Sequence, residues 1–266
     1  MGEKDNTGQE NRVGEQIRTA AVVLLFLVFA CSGFQLLGYY LEYREQDELY
    51  EAAADTYSRR LARAEGAPEE RKRSECPIAV DFAALLAENE DIVGWLYCED
   101  TNINYPVVQG EDNEYYLNHS YDGEAGRAGT IFVDADNDAR FGDSNTILYG
   151  HHMKDGSMFA HLSDWAEQEY FEAHPVMWLL TPEQDYRVEL LGGYLIPGTS
   201  GSYTIFTGAC PEFDEYLRKA AAAFDVPTEA EMPGDGRYIM LSTCEYVYKD
   251  ARYVLHGRLV PVGEDL

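Results

Sequence analysis

From Ile92 onward the chain alternates between short apolar runs and polar breaks carrying Gly, Asn, Asp or Pro. The early runs are Val93-Gly94-Trp95-Leu96-Tyr97, Pro106-Val107-Val108, Gly129-Thr130-Ile131-Phe132-Val133 and Thr146-Ile147-Leu148-Tyr149. Later come Val176-Met177-Trp178-Leu179-Leu180, Tyr186-Arg187-Val188-Glu189-Leu190-Leu191 and Tyr203-Thr204-Ile205-Phe206. Tyr238-Ile239-Met240-Leu241 and Arg252-Tyr253-Val254-Leu255 close the series. Runs this short, rich in β-branched and aromatic residues, read as strands, and their number and spacing predict a barrel or a sandwich. Helical patterns interrupt them. Residues 81–89 make a short amphipathic helix, and two inserts span residues 159–170 and 213–224.

Upstream the pattern changes. Residues 42–64 are rich in Glu, Ala, Arg and Leu and contain no Gly or Pro, which predicts a helix. Tyr43, Tyr50, Tyr57 and Ala64 recur at seven-residue spacing with Leu61 on the same side, one apolar stripe suited to docking on the domain that follows. Gly66-Ala67-Pro68 ends this stalk, and residues 69–75 form a charged linker. Residues 19–34 carry no charge, and with residues 35–40 they reach the ~20 residues that span a bilayer as a helix. Tyr39, Tyr40 and Tyr43 then stand where interfacial aromatics stand. The competing reading, a cleaved leader ending near Ala30-Cys31-Ser32-Gly33, is disfavoured by the length of the apolar run and the lack of an Ala-x-Ala site. The expected layout is a cytoplasmic tail (1–18), a membrane span (19–40), a helical stalk and linker (41–78) and a β-rich domain (79–266). Arg12 and Arg18 just before the span give a shallow positive-inside signal, because Arg44, Arg59, Arg60 and Arg63 follow it.

Charge narrows the partners. The 48 acidic against 20 basic residues leave a net charge of −28, which repels nucleic-acid phosphates, and no basic stripe offsets it. The 20 Tyr, 11 Phe and 3 Trp supply ample core-forming surface. Five cysteines, Cys31, Cys76, Cys98, Cys210 and Cys244, are odd in number and irregular in spacing, so they make no disulfide framework.

The chemistry gathers at three strand ends. The run ending at Leu241 delivers Ser242-Thr243-Cys244-Glu245 into a polar segment. Arg252 opens the next run, so a thiol and a guanidinium sit at facing ends of neighbouring strands. Upstream, the run ending at Tyr149 leads through Gly150, which lets the chain turn sharply, into His151-His152. A thiol needs a base to become a thiolate, and acyl transfer needs a cation or dipole at the developing oxyanion. His119, His161, His174 and His256 have no companions at useful spacing. A zinc site from His151, His152 and His161 lacks a closing Cys or Glu pattern. Asp134, Asp136, Asn137 and Asp138 are expected to form a solvated loop.

The segments Tyr149-Gly150-His151-His152-Met153-Lys154-Asp155-Gly156-Ser157-Met158-Phe159 and Leu241-Ser242-Thr243-Cys244-Glu245, with Arg252, resemble those of a class B sortase. So do residues 102–110 and 112–117, and the resemblance covers roughly residues 80–262. It implies a mostly β fold, a closed sortase-type β-barrel of about eight strands. N-terminal helices, two inserted helices and one preceding transmembrane helix complete it. It implies a membrane-anchored cysteine transpeptidase, N-terminus cytoplasmic and catalytic domain extracellular. Cys244 would be the nucleophile, His151 the proton-transfer group and Arg252 the oxyanion stabiliser. Thr243, Ser242, Tyr149, Glu245, Asn113 and Leu117 would line the substrate groove. The implied partners are surface proteins whose sorting signals are of the type Asn/Ser/Pro-Pro-x-Thr-Gly/Asn, and an amine of a lipid-linked peptidoglycan precursor. No cofactor or metal is implied. A peptidase that lets water resolve the same thioester, and a non-enzymatic membrane-anchored binding module, are the alternatives.

Overall fold

A computed structural model of the chain describes residues 6–61, 75–228 and 230–263. They fall into two units, one ending at Glu45 and one beginning at Gln46. The first unit is the leading part of helix α1 (Asn6–Tyr57). Within α1, Arg18–Tyr57 contains an 18-residue window of mean hydropathy 2.4, long and apolar enough to cross a membrane.

In the second unit the last turns of α1 bury Gln46, Tyr50 and Ala53, one face at helical spacing. Tyr50 is the anchor: its hydroxyl donates to Gly129 O at 2.5 Å and its ring meets Tyr105 edge-on. The helix ends at Tyr57, seven residues short of Ala64, which lies outside the described residues. Ser58–Arg60 forms strand β1, paired antiparallel with β2 (Ile78–Val80). Three pairings to β2 supply the backbone partners that another helical turn would have supplied, and tertiary pairing overrides the helix propensity of this segment. Helix α2 (Phe82–Glu88) follows, with Asp81 as N-cap accepting from Ala84 N–H.

Eight strands then close a mixed barrel: β3 (Ile92–Tyr97), β4 (Asn104–Val108), β5 (Ile131–Val133), β6 (Asn145–Tyr149), β7 (Val176–Leu180), β8 (Tyr186–Pro197), β9 (Arg237–Glu245) and β10 (Ala251–Pro261). The order around it is β10-β8-β7-β3-β4-β5-β6-β9, with β4·β5 and β6·β9 parallel and the remaining pairs antiparallel. Closure leaves no free edge. Helix α3 (Gln168–Ala173) precedes β7, and α4 (Pro211–Ala223) lies over one face of β6, β8, β9 and β10.

Three local expectations need correction. The insert over residues 159–170 is a 3-10 turn, Leu162–Ala166, followed by α3, because Glu167 is extended (φ −89, ψ 126) and breaks the ladder. Residues 203–206 are not a strand. A 3-10 turn at Gly201–Tyr203 is capped by Ser200, and the aromatics pack outward from the loop, Phe206 meeting Phe213 of α4 at 5.1 Å. Asp134 and Asn137 are buried, not solvated. Asp134 is tied to Tyr149 and Asn113, and Asn137 reaches Asp143 and the Asn145 carbonyl.

Gly150 is required for space and not for a left-handed turn. A Cβ there would lie 2.5 Å from both Ile131 Cδ1 and Phe159 Cδ2, with no unusual φ. Gly150→Ala is therefore expected to destabilise the second unit by about 1–3 kcal/mol through overpacking. A denaturant melt showing a lowered midpoint at constant slope would establish it; an unchanged midpoint would refute it.

Candidate active site

Strand pairing gathers the polar groups. Side chains alternate along a strand, so Ser242 and Cys244 follow Met240 on one face of β9, and Arg252 precedes Val254 on the same face of β10. In the antiparallel register Cys244 lies directly opposite Arg252, and Ser242 opposite Val254. Opposite residues on one face hold their Cβ atoms about 4.5–5.5 Å apart. The parallel pairing of β6 with β9 sets Tyr149 beside Ser242.

These strand ends open on a cavity of about 610 Å³. Every residue expected at the site borders it except Glu245: Cys244, His151, Arg252, Thr243, Ser242, Tyr149, Asn113 and Leu117. Alternation turns the Thr243 side chain to the opposite face of β9, where its hydroxyl is buried without a partner. Glu245 stands beside His152, its Oε1 3.5 Å from Nδ1.

The side chains are held by a dense set of bonds. His151 Nε2 lies 2.7 Å from Leu117 O. A carbonyl only accepts, so the neutral ring carries its proton on Nε2 and keeps a lone pair on Nδ1. Arg252 Nη1 meets Asp250 Oδ1 at 3.0 Å and Ala251 O at 3.1 Å. Asp250 occupies a left-handed turn position (φ 63), which brings its carboxylate back toward the guanidinium. Asn113 has its amide committed, donating to Asp134 Oδ2 and accepting from Ala135 N–H. Tyr149 also donates to Asp134 Oδ2, at 2.7 Å. Burial, and after it the Asp134 carboxylate, drive the Tyr149 hydroxyl pKa well upward, so it stays a neutral donor.

Residues 198–200, Phe132 and Tyr203 also border the cavity and were not singled out from the sequence. Tyr203 meets Ser242 Oγ at 2.8 Å, and Phe132, Tyr149 and Tyr203 line up as one aromatic wall. The Gly- and Ser-rich stretch 198–202 was the available signal for a loop at this position. Among the described residues no group of three or more His, Cys, Asp or Glu side chains is placed to hold a metal ion. None of the five cysteines is joined in a disulfide among the described residues. Burial pushes the Cys98 thiol pKa up to about 12, which makes it inert.

The cavity thus carries an aromatic wall along one side and, at its end, a thiol facing a guanidinium, with an imidazole on the same lining. No family model matches the chain. It is 42% identical over 176 residues to Sortase B of Listeria monocytogenes, an alignment covering 65% of this chain and 71% of that protein. It is 28% identical over 249 residues to Sortase B of Staphylococcus aureus, covering 92% of this chain and 97% of that protein. Among solved structures, sortase B from B. anthracis in complex with AAEK1 superposes with a TM-score of 0.70 at 33% identity, covering 84% of this chain and 99% of that one. A Staphylococcus aureus sortase B–substrate complex gives 0.71 at 26% identity, with 84% and 100% covered.

Proposed function

Because the chain belongs to the sortase B family, and is thereby a sortase-family transpeptidase acting on surface proteins that carry sorting signals, we propose that Cys244, His151 and Arg252 carry out the transfer. The observation that supports this most is the register pair Cys244–Arg252 bordering the same cavity as His151. The Cys244 thiolate attacks the Thr carbonyl of a signal of the type Asn/Ser/Pro-Pro-x-Thr-Gly/Asn. Arg252 receives the oxyanion: both bonds noted above use Nη1, which leaves the rest of its fork for substrate. His151, as imidazolium, gives its proton to the departing amine as the C–N bond breaks, leaving a thioester on Cys244. An incoming peptidoglycan amine, on a lipid-linked precursor, then attacks the thioester. It gives its proton to the imidazole and releases the thiolate. Ser242, Tyr149, Leu117 and the loop 198–200 form the walls of the groove, and Asn113 shapes it from behind through Asp134. The apolar part of α1 anchors the protein in the membrane, N-terminus cytoplasmic and catalytic domain outside.

Intact-mass spectrometry of the full-length protein in detergent, with a panel of such peptides, tests the reading. A thioester adduct that an added amine converts to amide product is the expected result. Resolution by water alone would favour a peptidase, and no adduct from folded protein would sink the assignment. Arg252→Ala is expected to lower kcat/KM by about 10²–10³. Arg252→Lys should recover part of that, since it restores charge without the fork. A loss below about threefold for the alanine variant would remove Arg252 from the mechanism.

A further inference from the structure

The parallel ladder of β6 and β9 closes with the bond from Gly150 N–H to Ser242 O, 3.1 Å. Continued in register, the next N–H that β6 would donate is that of residue 152, to Cys244 O. A side chain takes that acceptor instead: His152 Nδ1 lies 2.9 Å from Cys244 O. The main chain of His152 is bridged to Met158. Backbone pairing of β6 with β9 ends at Tyr149 and Ser242, and the imidazole, which reaches further than a backbone N–H, ties the two segments beyond that point.

Two further contacts hold the imidazole. Since the carbonyl only accepts, the proton sits on Nδ1. Glu245 Oε1 lies 3.5 Å from that nitrogen on a side chain 12% exposed, and this oxygen has no hydrogen-bond partner of its own. A carboxylate beside the donor favours the same tautomer. Tyr246 packs its ring edge-on against His152 at 5.1 Å and donates its hydroxyl to His152 O at 3.4 Å. Past Tyr246 the turn to β10 opens into solvent, with Val247 69% exposed. His152 is thus the last cross-tie before the turn.

We infer that His152 is a positioning residue for the transfer reaction. Its imidazole extends the β6–β9 ladder by one rung and fixes the separation between His151, its neighbour in sequence, and Cys244, whose carbonyl it holds. Glu245 serves as the partner of His152 and not as a wall of the groove. The inference rests on the proposed roles of Cys244 and His151.

Two variants of the full-length protein test it. His152→Phe keeps the ring against Tyr246 but removes the donor. His152→Asn presents an amide N–H close to the position of the Nδ1 proton. The phenylalanine variant is expected to lose kcat on the order of tenfold to a hundredfold with KM within about twofold, because the groove is intact and only the near-attack geometry is loosened. The asparagine variant should regain most of that kcat. Full kcat in the phenylalanine variant would overturn the inference, as would equal impairment of both variants together with a lowered Tm. A wild-type protein that forms no thioester would overturn the proposed function as well, so the two failures are distinguishable.

Discussion

Cys244→Ala is expected to abolish thioester formation and to lower transfer by about four orders of magnitude or more, with fold and peptide binding retained. Loss of the attacking atom leaves only positioning and oxyanion stabilisation, and in enzymes where nucleophile, base and charge partner act as a unit, one deletion removes nearly all of the rate. Cys244→Ser should be almost as poor, because a hydroxyl needs far stronger activation than a thiol to become a nucleophile near neutral pH. The four other cysteines provide the control. Cys98 is buried with a thiol pKa pushed up to about 12 and donates to Val176 O, so Cys98→Ala should leave the reaction rate unchanged. Mass spectrometry after brief alkylation at mildly alkaline pH should find Cys244 modified, with peptide substrate protecting it, and Cys98 unmodified. Retained thioester formation in Cys244→Ala would move the nucleophile elsewhere and undo the mechanism.

How much of this was readable beforehand depended on whether the signal was local. Val176–Leu180 is a strand over the same residues that its apolar run spans, since Pro175 and Thr181-Pro182 punctuate both ends. The Cys244–Arg252 pairing was legible too, because a short turn between two runs constrains them to an antiparallel register. The alignment of β6 with β9 was not: about ninety residues separate Tyr149 from Ser242, and no local pattern encodes a parallel neighbour so distant. Tyr203–Phe206 misled for a related reason. β-Propensity measures how well a side chain packs on a pleated, half-buried surface, and here the aromatic residues pack on α4 and on the cavity wall from a loop. Asp134 and Asn137 misled because residue type does not reveal which donors surround it. Tyr149 and Asn113 satisfy Asp134, and Gln109 Nε2 reaches the main-chain carbonyls of Asp134 and Asn137. A buried carboxylate so satisfied becomes a framework for the site. From the sequence His152 stands only as a supporting neighbour of His151, and the position of Cys244 O is what gives it a specific task.

His151→Ala is expected to lower kcat/KM for peptide substrates by about 10²–10⁴, the usual range for loss of a positioned general acid. The Leu117 carbonyl holds Nε2–H, so Nδ1 is the nitrogen available to carry and return the proton. A peptide amine is a very poor leaving group until it is protonated, and that is the step the imidazolium serves. An activated ester of the same signal peptide leaves without needing a proton. Acylation of Cys244 by that ester should therefore fall much less in His151→Ala than acylation by the peptide. The second half-reaction separates the roles further: an amine nucleophile must lose a proton, whereas a strong thiol nucleophile arrives as thiolate. Resolution by hydroxylamine or a thiol should be less impaired than resolution by a simple alkyl amine. If His151→Ala lost the same factor with ester and peptide, the imidazole would be shaping the cavity through Leu117 and not moving a proton, and the acid–base assignment would have to pass to another group bordering the cleft.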